Sequence, residues 1–138
     1  MLLPAAEHCS ELLKENIFSQ MTADDVTSIA AHDPLIIRVA ETMYEGSKQK
    51  RSVKKYVKQK TREMARFLQA ARKFSSQITN MESCIDPSKF LVMVSIAKKL
   101  SGYNAADNTY SIPSLALKIG QNLKKCALAL RSKALISE

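Results

Sequence analysis

The sequence predicts an all-α fold, a single-domain bundle of six or seven helices, on three observations. The chain of 138 residues fits one domain and is long enough to enclose a core. It holds three Gly and four Pro, too few for the dense turns that many short strands require. Its apolar residues recur at helical spacing between recognisable caps. An apolar fraction of 46% against 25% charged residues also argues against intrinsic disorder.

The first helix is expected over residues 5 to 21, with Cys9, Leu13, Ile17 and Met21 on one stripe and Leu12 beside it. Thr22 and Asp25 have capping-box spacing and should open a short helix through Val26, Ile29 and Ala30. Asp33-Pro34 and Asp86-Pro87 each set an N-cap acceptor before a proline suited to a first helical turn. The first pair predicts a helix from Pro34 to about Glu45, burying Leu35, Ile36, Val39, Ala40 and Met43, with Gly46 as its left-handed stop. Thr79, three residues before Glu82, should open one short turn in "SSQITNMESCI". The second pair predicts a helix from Pro87 to about Ser101 that buries Phe90, Leu91, Val94, Ala97 and Leu100 and stops at Gly102. "YNAADNTYS" reads as a polar connection, and a last helix follows on Leu115, Ile119, Leu123, Cys126, Ala127 and Leu130. No repeat, low-complexity tract or Gly/Ser linker marks a domain boundary.

The most informative segment is "KQKRSVKKYVKQKTREMARFLQAARKF", residues 48 to 74, with eleven Lys or Arg and the single acid Glu63. Charge is unevenly spread along the chain. Residues 1 to 47 carry two basic and eight acidic side chains, residues 48 to 73 eleven and one, and residues 74 to 138 eight and four. Wound at about 100° per residue, Val53, Tyr56, Val57, Met64, Phe67, Leu68, Ala71 and Phe74 fall on an arc of roughly 120° that should face the core. Arg51, Lys54, Lys55, Lys58, Arg62, Arg66, Arg72 and Lys73 fall on the opposite arc. Lys60 alone sits near the apolar stripe, where its stem could snorkel outward.

A solvated helix face usually mixes signs, because like charges four apart weaken a helix by a few tenths of a kcal/mol per pair. Lys54 with Lys58, Lys58 with Arg62 and Arg62 with Arg66 are all such pairs. A face that accepts on the order of 1 kcal/mol of repulsion, which one Glu would relieve, is better explained by an external polyanion. Two other readings stay open: a solvated face balanced by the acidic first third, and an acidic protein partner or membrane surface. On nucleic acid the cations would meet phosphates first, positioning the protein without reading sequence, and Arg62, Arg66 and Arg72 could reach base edges from a major groove. Six neutralised phosphates give a slope of log K against log salt near minus five.

Other motifs carry little. His8 and Cys9 are adjacent, so their side chains diverge by about 100° on a helix, and no second pair completes a metal site. His32 before the Asp33-Pro34 cap reads as a surface or capping residue, and Cys84 and Cys126 as buried small hydrophobes. Without a Gly-rich phosphate loop, a G-x-S-x-G or paired acids in a plausible pocket, no enzymatic activity, cofactor or small-molecule substrate is expected. Tyr44, Tyr56, Tyr103 and Tyr110 look too scattered for a stacking platform. "DNTYSIPSLALKIG" stands out as polar, then apolar without charge until Lys118, and reads as a loop feeding a buried helix start. Three widely spaced cysteines suggest reduced thiols; with no secretory signal or membrane span in view, an intracellular, nuclear setting is expected.

The runs "DDVTSIAAHDPLIIRVAETMYE", "KQKTREMARFLQAAR" and "YSIPSLALKIGQNLKKCALALRSKAL" resemble vertebrate, mostly fish, transposon-derived proteins of Crypton-like type. In those proteins the region is similar to the helical, SAM-like core-binding domain of tyrosine recombinases. That resemblance implies a helical bundle gripping DNA through Lys and Arg of a basic helix. Neither His8 nor His32 begins an H-x-x-R, so strand cleavage is not expected. The expected function is thus a non-catalytic DNA-binding module contacting phosphates through residues 51 to 73, by Lys54, Lys55, Lys58, Arg62, Arg66 and Lys73, with Lys124, Lys125 and Arg131 as secondary contacts. The alternative is a helical protein interaction module whose basic helix docks an acidic partner.

Overall fold

A computed structural model describes residues 11–45 and 51–137, with side chains through residue 132 except that of Leu12. Among the described residues seven α-helices form the bundle: α1 (Glu11–Asn16), α2 (Asp25–His32), α3 (Pro34–Glu45), α4 (Arg51–Phe74), α5 (Met81–Cys84), α6 (Phe90–Leu100) and α7 (Pro113–Ser137). Single 3-10 turns stand at Phe18–Gln20 and Pro87–Lys89, and β1 (Tyr103–Asn104) pairs antiparallel with β2 (Thr109–Tyr110). The fold is therefore all-α, as the composition indicates. The expected Cys9 position and the Gly46 stop lie outside the described residues.

The core is built around α4, whose Val57, Met64, Ala65, Leu68 and Ala71 are fully enclosed. Against it pack Leu13 and Ile17 from the start of the chain, Ile36, Val39, Ala40 and Tyr44 of α3, Ile96 of α6 and Cys126 of α7. Asp33 joins three elements. Its Oδ1 accepts the backbone N–H groups of Leu35 and Ile36 at 3.0 and 2.9 Å, capping α3 as its sequence position predicts. Its Oδ2 accepts the N–H of Met81 at 2.9 Å, which ties the start of α5 to the start of α3.

Several expected details are corrected. The cap of α2 is Asp24, which accepts from Thr27 N–H, rather than Thr22. The capping box of α5 uses Asn80 and Ser83, one residue beyond Thr79 and Glu82. The first helix ends at Asn16, and a 3-10 turn carries the chain on to Met21. Asp86 caps the turn at Pro87 through Ser88, as expected, but α6 then turns Met93 and Ile96 inward and leaves Phe90, Leu91 and Leu100 exposed. The physical reason is that "FLVMVSIAKKL" is apolar almost all round, so its period does not single out a buried stripe. Tyr56 and Phe74 also lie exposed at the rim of the α4 stripe, with Lys60 and Lys99 over their rings at 5.5 and 5.9 Å. On α7, Ile119 and Cys126 are buried, Ala127 is exposed, and Asn122 joins the buried face.

The stretch expected to be a plain polar connection is a hairpin. Gly102 takes φ +67° as the stop of α6, and a Cβ there would come within 2.7 Å of Ser111. Ser111 N–H donates to the Gly102 carbonyl and Ile112 N–H to that of Ser101, extending the pairing that Tyr103 and Tyr110 begin. Asn108 supplies the left-handed residue of the four-residue loop, at φ 54°.

Candidate polyanion-binding surface

Helix α4 runs unbroken for 24 residues, and its cations divide into two groups. Lys54, Lys58 and Arg62 face the opening segment of the chain. Lys54 Nζ donates to Asn16 Oδ1 at 3.4 Å, Lys58 Nζ to Gln20 Oε1 at 2.8 Å, and Arg62 forks onto Asp24 at 2.8 and 3.1 Å while also donating to Thr27 Oγ1 at 2.9 Å. Asn16, Gln20 and Asp24 are four apart, as are Lys54, Lys58 and Arg62, so the segments run side by side at a constant offset of 38 residues. The like-charge row is thus relieved from a neighbouring element, and only at its last rung by a carboxylate.

Arg62 is consequently part of the fold rather than a free cation. Its guanidinium, joined by the Thr27 backbone N–H, holds the Asp24 carboxyl well below the usual carboxylate range, and Asp24 in turn raises Arg62. Arg72 is likewise engaged, donating through Nε and Nη2 to the Thr79 carbonyl at 2.9 and 2.6 Å. Lys60 does not snorkel. It is buried, with Nζ 3.2 Å from Glu63 Oε1. Glu63 also accepts from Gln59 and, across the bundle, from Asn122 Nδ2, both at 3.1 Å. Burial raises the Glu63 carboxyl, and these donors together with Lys60 outweigh it, so the group stays below its ordinary value.

What remains is a narrower surface than the sequence alone indicates. Lys55, Arg66 and Lys73 are exposed and, with Arg51, have no hydrogen-bond or ion-pair partner among the described residues. On the helical wheel these four fall within about 60° of one another. They run from Arg51 to Lys73, 22 steps of 1.5 Å or about 33 Å of helix. Lys54 and Lys58 border this strip, and their partners are amide oxygens, which bring no opposing charge. Of the six residues expected to form the site, five therefore contribute charge and Arg62 does not. Arg51, on the expected face but outside the expected site, joins it. The 38-residue offset between two polar rows of equal spacing is the sequence signal that separates the groups.

Lys124 and Arg131 are exposed and Lys125 half-buried on α7. His32 is exposed, with Nδ1 2.8 Å from the Ser28 carbonyl of its own helix; of the surface and capping positions expected for it, it takes the surface one. Among the described residues no group of His, Cys, Asp or Glu is placed to hold a metal ion, and no helix is long and apolar enough to cross a membrane. Tyr103 and Tyr110, far apart in the sequence reading, meet across the hairpin with ring centroids 4.9 Å apart and Lys98 4.7 Å over Tyr103. No family model, curated protein or solved structure matches the chain.

Proposed function

We propose that the chain is a non-catalytic helical module that binds DNA through the phosphate backbone, using α4. One observation carries the reading: Arg51, Lys55, Arg66 and Lys73 share one arc of α4 with no acceptor among the described residues, while Lys54, Lys58 and Arg62, beside and between them, are tied into the fold. A basic face balanced by the acidic first third would leave few cations of the first kind. The strip is about as long as one turn of duplex, 34 to 36 Å, so its cations can follow phosphates along one side of a double helix. In this reading the bundle acts as a DNA-gripping domain of the kind found in the Crypton-like recombinases its sequence resembles, without strand cleavage and within the nucleus.

Fluorescence anisotropy of a labelled duplex at 50 and 200 mM salt tests it. Micromolar binding at 50 mM, weakened at least about tenfold at 200 mM and lost in the Lys55→Glu, Arg66→Glu, Lys73→Glu variant, is the expected result. All three side chains are exposed, so the variant should melt like the parent. Absence of binding at 50 mM salt refutes the proposal. Binding of polyglutamate in preference to DNA would favour an acidic protein partner at the same helix.

A further inference from the structure

Helices α6 and α7 each meet the core along one edge, Met93 and Ile96 from the first and Ile119 and Cys126 from the second. Between them an apolar groove of about 370 Å³ stays open to solvent. Phe90, Val94 and Ala97 form one wall, and Ala116, Gly120 and Leu123 the other. Large apolar side chains scattered singly on a surface need no explanation. Here Phe90, 64% exposed, borders a concavity, and Leu91 beside it is 77% exposed.

Gly120 is the second observation. It lies well inside the 25-residue α7, where glycine is the poorest helix former after proline. Interior glycines are usually explained by a close neighbour, yet a Cβ built at Gly120 would meet nothing within 4 Å. No packing within the described chain accounts for it. A body entering the groove would, because a helix approaching α7 closely needs a missing side chain at that point.

Charge selects the occupant. The sequences of α6 and α7 contain Lys98, Lys99, Lys118, Lys124, Lys125, Arg131 and Lys133 and no Asp or Glu. Lys98 follows Ala97 and Lys124 follows Leu123, so each wall has an exposed cation one step round its helix, Lys98 with its Nζ over the Tyr103 ring; the one acid among the lining residues, Asp86, is engaged by the N–H and hydroxyl of Ser88. A second copy would bring the same cations into opposition. We propose that the α6–α7 groove docks an acidic amphipathic helix of a partner protein, with its apolar ridge against Phe90, Val94 and Leu123 and its carboxylates toward Lys98 and Lys124.

The test uses the full 138-residue chain and a fluorescein-labelled peptide of about 18 residues with Leu at i, i+4 and i+7 and Glu on the remaining face. Two controls replace Glu by Lys or scramble the same composition. The expected result is saturable micromolar binding of the acidic amphipathic peptide alone, weakened at least about tenfold by Gly120→Leu and by Lys98→Glu with Lys124→Glu. Gly120→Ala should raise the melting temperature by a few degrees, showing that the position tolerates a side chain. Gly120→Leu should bind duplex DNA like the parent, and the α4 triple variant should retain the peptide, so failure here is separable from failure of the DNA reading. The proposal is overturned if the acidic peptide does not bind, if the scrambled peptide binds as tightly, or if Gly120→Leu changes nothing. It is also overturned if phosphatidylserine vesicles are captured through a Gly120→Leu-sensitive surface, or if sedimentation shows a dimer that Gly120→Leu dissociates.

Discussion

Asp33 is where the fold should be most sensitive to a single atom. It is 4% exposed, and its two carboxylate oxygens do separate jobs: Oδ1 caps α3 through Leu35 and Ile36, and Oδ2 holds the N–H of Met81 at the start of α5. Asp33→Asn keeps the shape and one acceptor. With the oxygen retained at the cap, an NH2 group faces the Met81 N–H, and a fully buried donor goes unsatisfied, at a cost of about 1–3 kcal/mol. Asp33→Ala removes the cap as well, adding about 0.5–2 kcal/mol and giving about 1.5–5 kcal/mol in all. Asp33→Ser should behave like the Asn variant, since a hydroxyl can cap α3 and is too short for Met81. Urea denaturation followed by helix circular dichroism measures each value, and hydrogen exchange at the Met81 amide reports its bond separately. The reasoning fails if Asp33→Ala lowers stability by less than about 0.5 kcal/mol, or if Asp33→Asn exchanges at Met81 as slowly as the parent.

Three further outcomes follow from the described geometry. Asp24 is held below the ordinary carboxylate range by Arg62 and the Thr27 N–H, so its contribution is fully present above the unfolded value of about 3.9 and is lost as pH falls through the folded value. Urea midpoints of the parent should therefore drop more steeply between pH 5 and pH 2 than those of Asp24→Asn, and parallel curves would contradict the pairing. Burial, reinforced by the Asp33 charge, pushes the thiols of Cys84 and Cys126 up to about 12, so in a Cys9→Ser background Ellman's reagent should label them no faster than the chain unfolds; rapid labelling at pH 8 would be inconsistent with the described core. On duplex DNA, Arg66→Gln should reduce the slope of log K against log salt by about 0.9, whereas Asp24→Asn with Arg62→Gln, which removes a pair of no net charge, should leave it unchanged. Equal effects of the two would remove the distinction between free and paired cations on α4.

The all-α class and the bounds of α3 and α4 were legible because caps and amphipathic period agree there: Asp33-Pro34 starts one helix, and the valine, methionine, phenylalanine and leucine spacing defines the other. The buried face of α6 was not legible, since its near-uniform apolarity leaves orientation to the tertiary neighbours. The hairpin was hidden because its two-residue strands are too short for an alternating pattern, and Tyr103 met Tyr110 only through that pairing. In the candidate site the identity of the basic face was readable from the helical wheel, and its division was not. A wheel shows which residues point away from one stripe, but a second stripe covered by another polar segment looks the same as one facing water. Lys54, Lys58 and Arg62 are the residues for which that difference matters.

The same 38-residue offset allows the division to be moved. Asn16, Gln20 and Asp24 occupy three successive rungs, and the same offset carried one step of four further in the sequence pairs Ser28 of α2 with Arg66 of α4. The sequence thus places a neutral residue where the series would put a second acid, and the ladder of side-chain partners stops one step before Arg66. Ser28→Asp should extend it. The new carboxylate ends the first turn of α2, where the helix dipole favours it and the charges of Asp24 and Asp25 oppose it by a few tenths of a kcal/mol each, so stability should change little. Arg66 would gain a partner and lose availability, lowering duplex affinity at 50 mM salt and reducing the salt slope by about 0.9 without altering any cation. Ser28→Asn, which can hydrogen-bond but not neutralise, should leave the slope at the parent value. If Ser28→Asp binds DNA with the parent's affinity and slope, Arg66 is not among the phosphate contacts, and the strip on α4 does not act as a unit.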